Sequence, residues 1–190
     1  MTVGVLAIQG DFEAHKRRLE ELGAAVALVR KPEQLKGLDA LVMPGGESST
    51  MLKFLEQDGF FEQLKDFVRT KPTFGTCAGA ILLAREVSNP PQVSLGALDI
   101  RVKRNAYGRQ LDSSIEHLKT KLGAEPLESV FIRAPKIEST GKDVEVLATR
   151  DGDAVLVRQG KAMAATFHPE LSADTRVHAE FLKLVKNGKC

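Results

Sequence analysis

The sequence predicts a single α/β domain with an added antiparallel β portion, and three features of its 190 residues lead there. Through the first half, short apolar runs alternate with amphipathic segments, the βαβ rhythm of a parallel sheet whose strands are buried on both faces. In the second half the pieces turn strand-like and include a two-residue hairpin signal. No internal repeat, low-complexity tract or Pro/Gly-rich linker divides the chain, and its length suits one core, so residues 1–190 are expected to form one domain.

The elements follow in order. Val3 to Ile8 is the first strand, and Phe12, Leu19 and Leu22 then recur at helical spacing. Ala25 to Val29 and Ala40 to Met43 are two further strands. From Thr50 to Val68, the residues Leu52, Leu55, Phe60, Phe61, Leu64, Phe67 and Val68 mark helix, which Asp58-Gly59 breaks into two. Pro72 to Gly75 is a short strand before Cys77, and Ala80 to Arg85 is a helical run. Asp99 to Lys103, Ser129 to Ala134 and Glu145 to Thr149 are strand-like, with Asp151-Gly152 as a turn and Ala154 to Arg158 as the return strand. Met163 to Phe167 adds a strand, and a final helix from about Thr175 carries Val177, Phe181, Leu184 and Val185.

Composition narrows the function. The 27 basic residues nearly cancel the 25 acidic ones and form no run, which argues against a nucleic-acid binder and suits a small substrate. Two cysteines, Cys77 and Cys190, make no disulfide framework. The N-terminal residues lack the basic and apolar regions of a signal peptide, and no apolar stretch reaches the ~18 residues of a membrane span, so a reducing cytoplasm is the expected location.

Cys77 stands in Gly75-Thr76-Cys77-Ala78-Gly79, between a strand and a helix, the cysteine form of the nucleophile elbow. A sharp strand-to-helix turn crowds the backbone and demands small neighbours, and the helix N-terminus favours a thiolate. Taken alone, these five residues fit a buried core cysteine beside two glycines equally well. Phe167-His168-Pro169-Glu170 weighs more. Pro169 biases His168 toward extended backbone, where residues two apart share a side, so Glu170 is placed to accept the second ring N–H of His168. That is the task of the third member of a catalytic triad.

The remaining histidines carry less. His15 and His178 fall on amphipathic helices and His117 in a charged stretch, positions that suit solvated or half-buried rings, and none has zinc-ligand spacing. Pro44-Gly45-Gly46-Glu47-Ser48-Ser49-Thr50 follows a strand end, where α/β sheets hold ligands, and paired glycines let the main chain present N–H groups to an oxyanion. A phosphate loop would need a lysine that is absent here, and Glu47 would repel phosphate; a bare turn is the other reading. Arg104-Asn105-Ala106-Tyr107-Gly108-Arg109-Gln110 and Phe131-Ile132-Arg133-Ala134-Pro135 set arginines at strand ends, where they can pair with a carboxylate or simply be solvated. Asp112, Ser113 and Ser114 suit a cap.

Together, Leu6-Ala7-Ile8-Gln9-Gly10, Pro44 to Ser48, Gly75 to Gly79, Arg104-Asn105, Phe131 to Pro135 and Phe167-His168-Pro169-Glu170-Leu171 resemble the glutaminase subunits of pyridoxal 5'-phosphate synthase. The resemblance runs from the first strand almost to the C-terminus. Tyr107 departs from the phenylalanine that relatives often carry, and Asn89 to Leu98 looks variable. The resemblance implies a flavodoxin-like, three-layer class I glutamine amidotransferase fold, with Cys77, His168 and Glu170 as triad. The N–H groups of Gly46 and Ala78 would form the oxyanion hole. L-Glutamine would be held by Gly46, Glu47, Ser48, Arg104, Ile132 and Arg133, with no metal or organic cofactor. It further implies a partner, a (β/α)8-barrel synthase subunit that takes up the ammonia and raises the activity, with Gln9 near the docking surface. A glutaminase serving another synthase, such as one for imidazole glycerol phosphate, would share the triad but not the Arg104-Asn105 and Phe131-to-Pro135 segments. A redox sensor built on Cys77 would give His168 and Glu170 no reason for their spacing.

Overall fold

Strand β1 (Thr2–Leu6) lies between β2 (Ala25–Val29) and β3 (Ala40–Met43), all parallel, followed by parallel β4 (Thr73–Thr76) and β12 (Ala162–Ala165). The order β2-β1-β3-β4-β12 is that of flavodoxin-like sheets. Beyond β12 the same sheet continues antiparallel through β11 (Asp153–Gln159), β10 (Glu145–Arg150), β7 (Ser113–Thr120) and β8 (Gly123–Ile132). A separate sheet joins β5 (Ala84–Ser88), β6 (Leu98–Lys103) and β9 (Lys136–Thr140). This computed structural model describes residues 1–106 and 113–188; Tyr107 to Gln110, Asp112 and Cys190 lie outside them.

Alternation along the strands builds two cores. Leu41 and Met43 of β3 face one side, where they meet α2 (Ser48–Leu55), α3 (Phe60–Thr70), α4 (Ala78–Leu83) and the small sheet. Ala40 and Val42 face the other, against α1 (Phe12–Glu21) and α5 (Arg176–Asn187). The central strands β1, β3, β4 and β12 thus bury both faces, which is why these runs are largely apolar. The break between α2 and α3 falls at Asp58 and Gly59, both at positive φ. The turn residues Asp151 and Gly152 have φ of 49° and 87°, the pair of positive values that a two-residue hairpin needs to match strand twist.

Several elements differ from expectation. The helical run ends at Leu83, and Ala84 and Arg85 already belong to β5. Residues 78–84 are buried on every side, so no amphipathic period marks the helix end. Strands β7 and β9 were not foreseen; β7 is largely polar, with Ser113 and Ser114 opening a strand and His117 exposed. Strand β8 begins at Gly123, six residues before Ser129, and stops at Ile132 because Arg133 turns to a φ of 43°. No helix among the described residues is long and apolar enough to cross a membrane.

Candidate active site

The site lies at the carboxyl ends of β1, β3, β4 and β12, beside the point where the strand order reverses. Cys77 sits between β4 and α4 with φ 46° and ψ −103°, a conformation that non-glycine residues rarely adopt. The surroundings enforce it. A Cβ on Gly75 would fall 2.5 Å from the main chain of Gly79, and one on Gly79 would fall 2.1 Å from the Met43 carbonyl oxygen. Both glycines therefore let strand, turn and helix pack at backbone contact. The Cys77 N–H donates to the Ala165 carbonyl at 2.9 Å, which ties the elbow to β12.

His168 comes off the end of β12, and its N–H donates to the Val130 carbonyl of β8 at 2.8 Å. Its ring stands beside Cys77 at the floor of one cleft. On the far side, Nδ1 meets Glu170 Oε1 at 2.7 Å. The expected pairing is present, but it comes from a different local structure: Pro169–Leu171 form a single 3-10 turn, and that turn, not an extended run, brings the carboxylate back to the ring. Burial alone would lower the His168 pKa; the hydrogen bonds to Cys77 and Glu170 and their charges outweigh it and hold the ring up at about 10. The ring is thus an imidazolium at neutral pH. Burial opposes ionisation of Glu170 as well, yet neighbouring His15 and His168 keep its pKa below the ordinary carboxylate value.

His15 and His178 correct the expectation of half-solvated rings, since both are fully buried. His15 Nε2 lies 3.0 Å from Thr76 Oγ1 and 3.3 Å from Glu170 Oε2, and His15 Nδ1 lies 3.0 Å from His178 Nε2. The sequence did hold a signal. Phe12, His15, Leu19 and Leu22 lie on one helical stripe, and His178, Phe181 and Val185 on another, so each histidine occupies a core position of its helix. Burial lowers the pKa of both, that of His178 to about 3, and the two rings are neutral at physiological pH.

A cleft of about 340 Å3 opens above Cys77 and His168, and Gly46, Glu47, Ser48, Arg104, Ile132 and Arg133 all line it. Glu47 caps α2 by accepting from the N–H groups of Ser49 and Thr50; burial would raise its pKa, but these bonds and the Thr50 hydroxyl bring it down to about 2. Arg104 Nη2 bridges Glu47 Oε1 at 3.2 Å and Ser49 Oγ at 2.5 Å. Ser48 is buried and its Oγ donates to Gln92 Oε1, from the Asn89-to-Leu98 segment. Gln9 Oε1 accepts from the Glu47 N–H at 2.8 Å. The Gly45 carbonyl oxygen presses on Gly10, where a Cβ would stand 1.7 Å from it, so the N–H of Gly46 on the same planar peptide points the opposite way. Ala78 is buried behind the elbow as the first residue of α4.

This is the fold of the class I glutamine amidotransferases. A solved structure described as a glutamine amidotransferase is 48% identical and superimposes with a TM-score of 0.90 over 97% of this chain and 98% of its own. The chain belongs to the SNO glutamine amidotransferase family, whose pattern it matches over residues 5–187. Among similar curated proteins, a pyridoxal 5'-phosphate synthase subunit PdxT from Koribacter versatilis is 63% identical over 99% of this chain and 97% of its own length. One of the same description from Thermosipho africanus is 52% identical over 98% of this chain and 100% of its own length.

Proposed function

We propose that residues 1–190 act as one glutaminase domain that hydrolyses L-glutamine to L-glutamate and ammonia, with Cys77 as nucleophile, His168 as general base and acid, and Glu170 as the group that orients the ring. The observation that carries this reading is His168 itself, bonded to Glu170 on one side and set beside Cys77 at the floor of the cleft. His168 beside the sulfur is placed to exchange a proton with it, and it is the deprotonated sulfur that attacks.

The thiolate attacks the side-chain amide carbon of glutamine, and the carbonyl oxygen becomes an oxyanion that accepts from the N–H groups of Gly46 and Ala78. Collapse breaks the C–N bond, and the leaving ammonia takes its proton from His168. Water then attacks the thioester, giving its proton to the now neutral His168; glutamate leaves and the thiolate returns. Throughout, Glu170 keeps Nδ1–H pointing at itself, so that Nε2 faces the reacting atoms. Gly46, Glu47, Ser48, Arg104, Ile132 and Arg133 hold the substrate, and these steps use no metal or organic cofactor.

The ammonia is delivered to a (β/α)8-barrel synthase subunit that makes pyridoxal 5'-phosphate in the cytoplasm, a reading supported by the description of the relatives as subunits of that synthase. Gln9, packed beneath Gly46, is the candidate for coupling docking to the oxyanion hole, since the Gly45–Gly46 peptide must keep its N–H toward the substrate. One missing oxyanion donor costs about a hundredfold to a thousandfold in rate. Glutamate release, measured with and without saturating synthase and with the Cys77→Ala variant as blank, tests the reading. Turnover that depends on Cys77 and rises with the synthase is expected; turnover by Cys77→Ala would remove the nucleophile from Cys77, and equal rates with and without synthase would end the gating.

A further inference from the structure

We propose that His15 is a positioning residue for the reaction, donating from Nε2 to the second oxygen of Glu170 and so fixing the plane of the carboxylate that holds His168. The inference rests on the Cys77-His168-Glu170 assignment and extends it by one member, on a helix at the opposite end of the sequence.

The geometry points to a single proton arrangement. Glu170 is buried, its Oε1 is taken by His168, and its Oε2 is a buried oxygen without a formed hydrogen bond among the described residues; the side-chain nitrogen set beside it, at 3.3 Å, is His15 Nε2. A carboxylate oxygen only accepts, so Nε2 of His15 must carry the hydrogen. In a neutral ring Nδ1 is then an acceptor, and the group 3.0 Å from it, His178 Nε2, must donate. That leaves Nδ1 of His178 as a bare lone pair, and it is a buried atom without a partner. The reverse arrangement would turn a lone pair of His15 toward the carboxylate and leave a buried N–H of His178 orphaned, the costlier defect of the two. Thr76 Oγ1, 3.0 Å from His15 Nε2, shares the same proton. Because Thr76 is bonded to Cys77, one ring from α1 touches both the carboxylate and the strand that delivers the nucleophile.

A carboxylate held at one oxygen can swing about its Cγ–Cδ bond; held at both, it cannot. Loss of the His15 donor should therefore lower kcat while leaving glutamine binding alone. The test compares His15→Leu, which fills the space without a donor, with His15→Gln, whose amide nitrogen reaches the same place, each assayed with saturating synthase. We expect kcat to fall about tenfold or more in His15→Leu with KM within about twofold, and most of the loss to be recovered in His15→Gln. Wild-type kcat in His15→Leu, a change in KM alone, or an equal loss in both variants would overturn the proposal. Should His15→Leu fail to fold, 15N spectra of the histidine rings in the wild-type chain decide. The Nε2–H tautomer of His15 is expected, and the Nδ1–H tautomer would overturn it. Wild-type protein without glutaminase activity would defeat the proposed function, whereas the tautomer would still report on His15.

Discussion

Gly45 lies against the ring of His168 so closely that a Cβ on it would stand 2.4 Å from Cε1 and 3.0 Å from Nδ1. The imidazole is therefore held from one side by Glu170 and from another by a main chain with no side chain to spare. Gly45→Ala should push the ring out of line with Cys77 while the sheet stays intact. A displacement of about 1 Å at such a site costs on the order of a hundredfold in rate. Glutamate release beside a far-UV circular dichroism spectrum checks this, and a folded Gly45→Ala protein with wild-type turnover would show that the close contact does not align the ring.

Replacing Glu170 with Gln keeps the shape but offers a neutral group to Nδ1 of His168 and to Nε2 of His15. The amide can turn its NH2 toward either ring, and neither the tautomer nor the charge of His168 is then secured. Turnover should fall by roughly a hundredfold or more, given the loss of about ten-thousandfold when a triad carboxylate becomes an amide in serine proteases. Steady-state kinetics at fixed pH give the answer, and unchanged kcat would reduce Glu170 to a packing residue.

The raised pKa of His168 also sets a pH dependence of stability. Its folded value of about 10 lies above the ordinary 6.5, so the stabilisation is complete below about pH 6.5 and is lost as pH rises through about 10. Between those limits the native ring stays charged and bonded while the unfolded ring would be neutral. Wild-type melting temperature should therefore fall from pH 7 to pH 10 more steeply than that of Cys77→Ala, which lacks one of the two partners that raise the ring. Parallel melting curves for the two proteins would contradict the assignment of that shift to Cys77.

Much of this was legible in the chain. The central parallel strands are buried on both faces and so read as largely apolar runs, and the elbow and the His168-to-Glu170 spacing each lie within one short stretch of sequence. What escaped depends on tertiary placement. Strand β7 is polar and mostly exposed, so it is held by pairing with β8 and not by a pattern of its own. Strand β5 follows directly on a helix buried all round, where no period separates one state from the other. For His15 and His178 the sequence suits solvated or half-buried rings, because imidazole is ambiguous between core and solvent. Only the fold shows that two helices distant in sequence bring them together behind Glu170.

Cys77 and His168 rise from neighbouring strands, Thr76 of β4 standing beside Ala165 of β12, and each is pinned through its own amide to a carbonyl, Cys77 to Ala165 and His168 to Val130. Every amino acid carries a carbonyl oxygen. The spacing of Cys77 and His168 is consequently a property of the main-chain lattice and not of the residue types at 130 and 165. Any side chain that packs at those two positions preserves it, which leaves the chain free to drift in sequence around a site whose alignment does not.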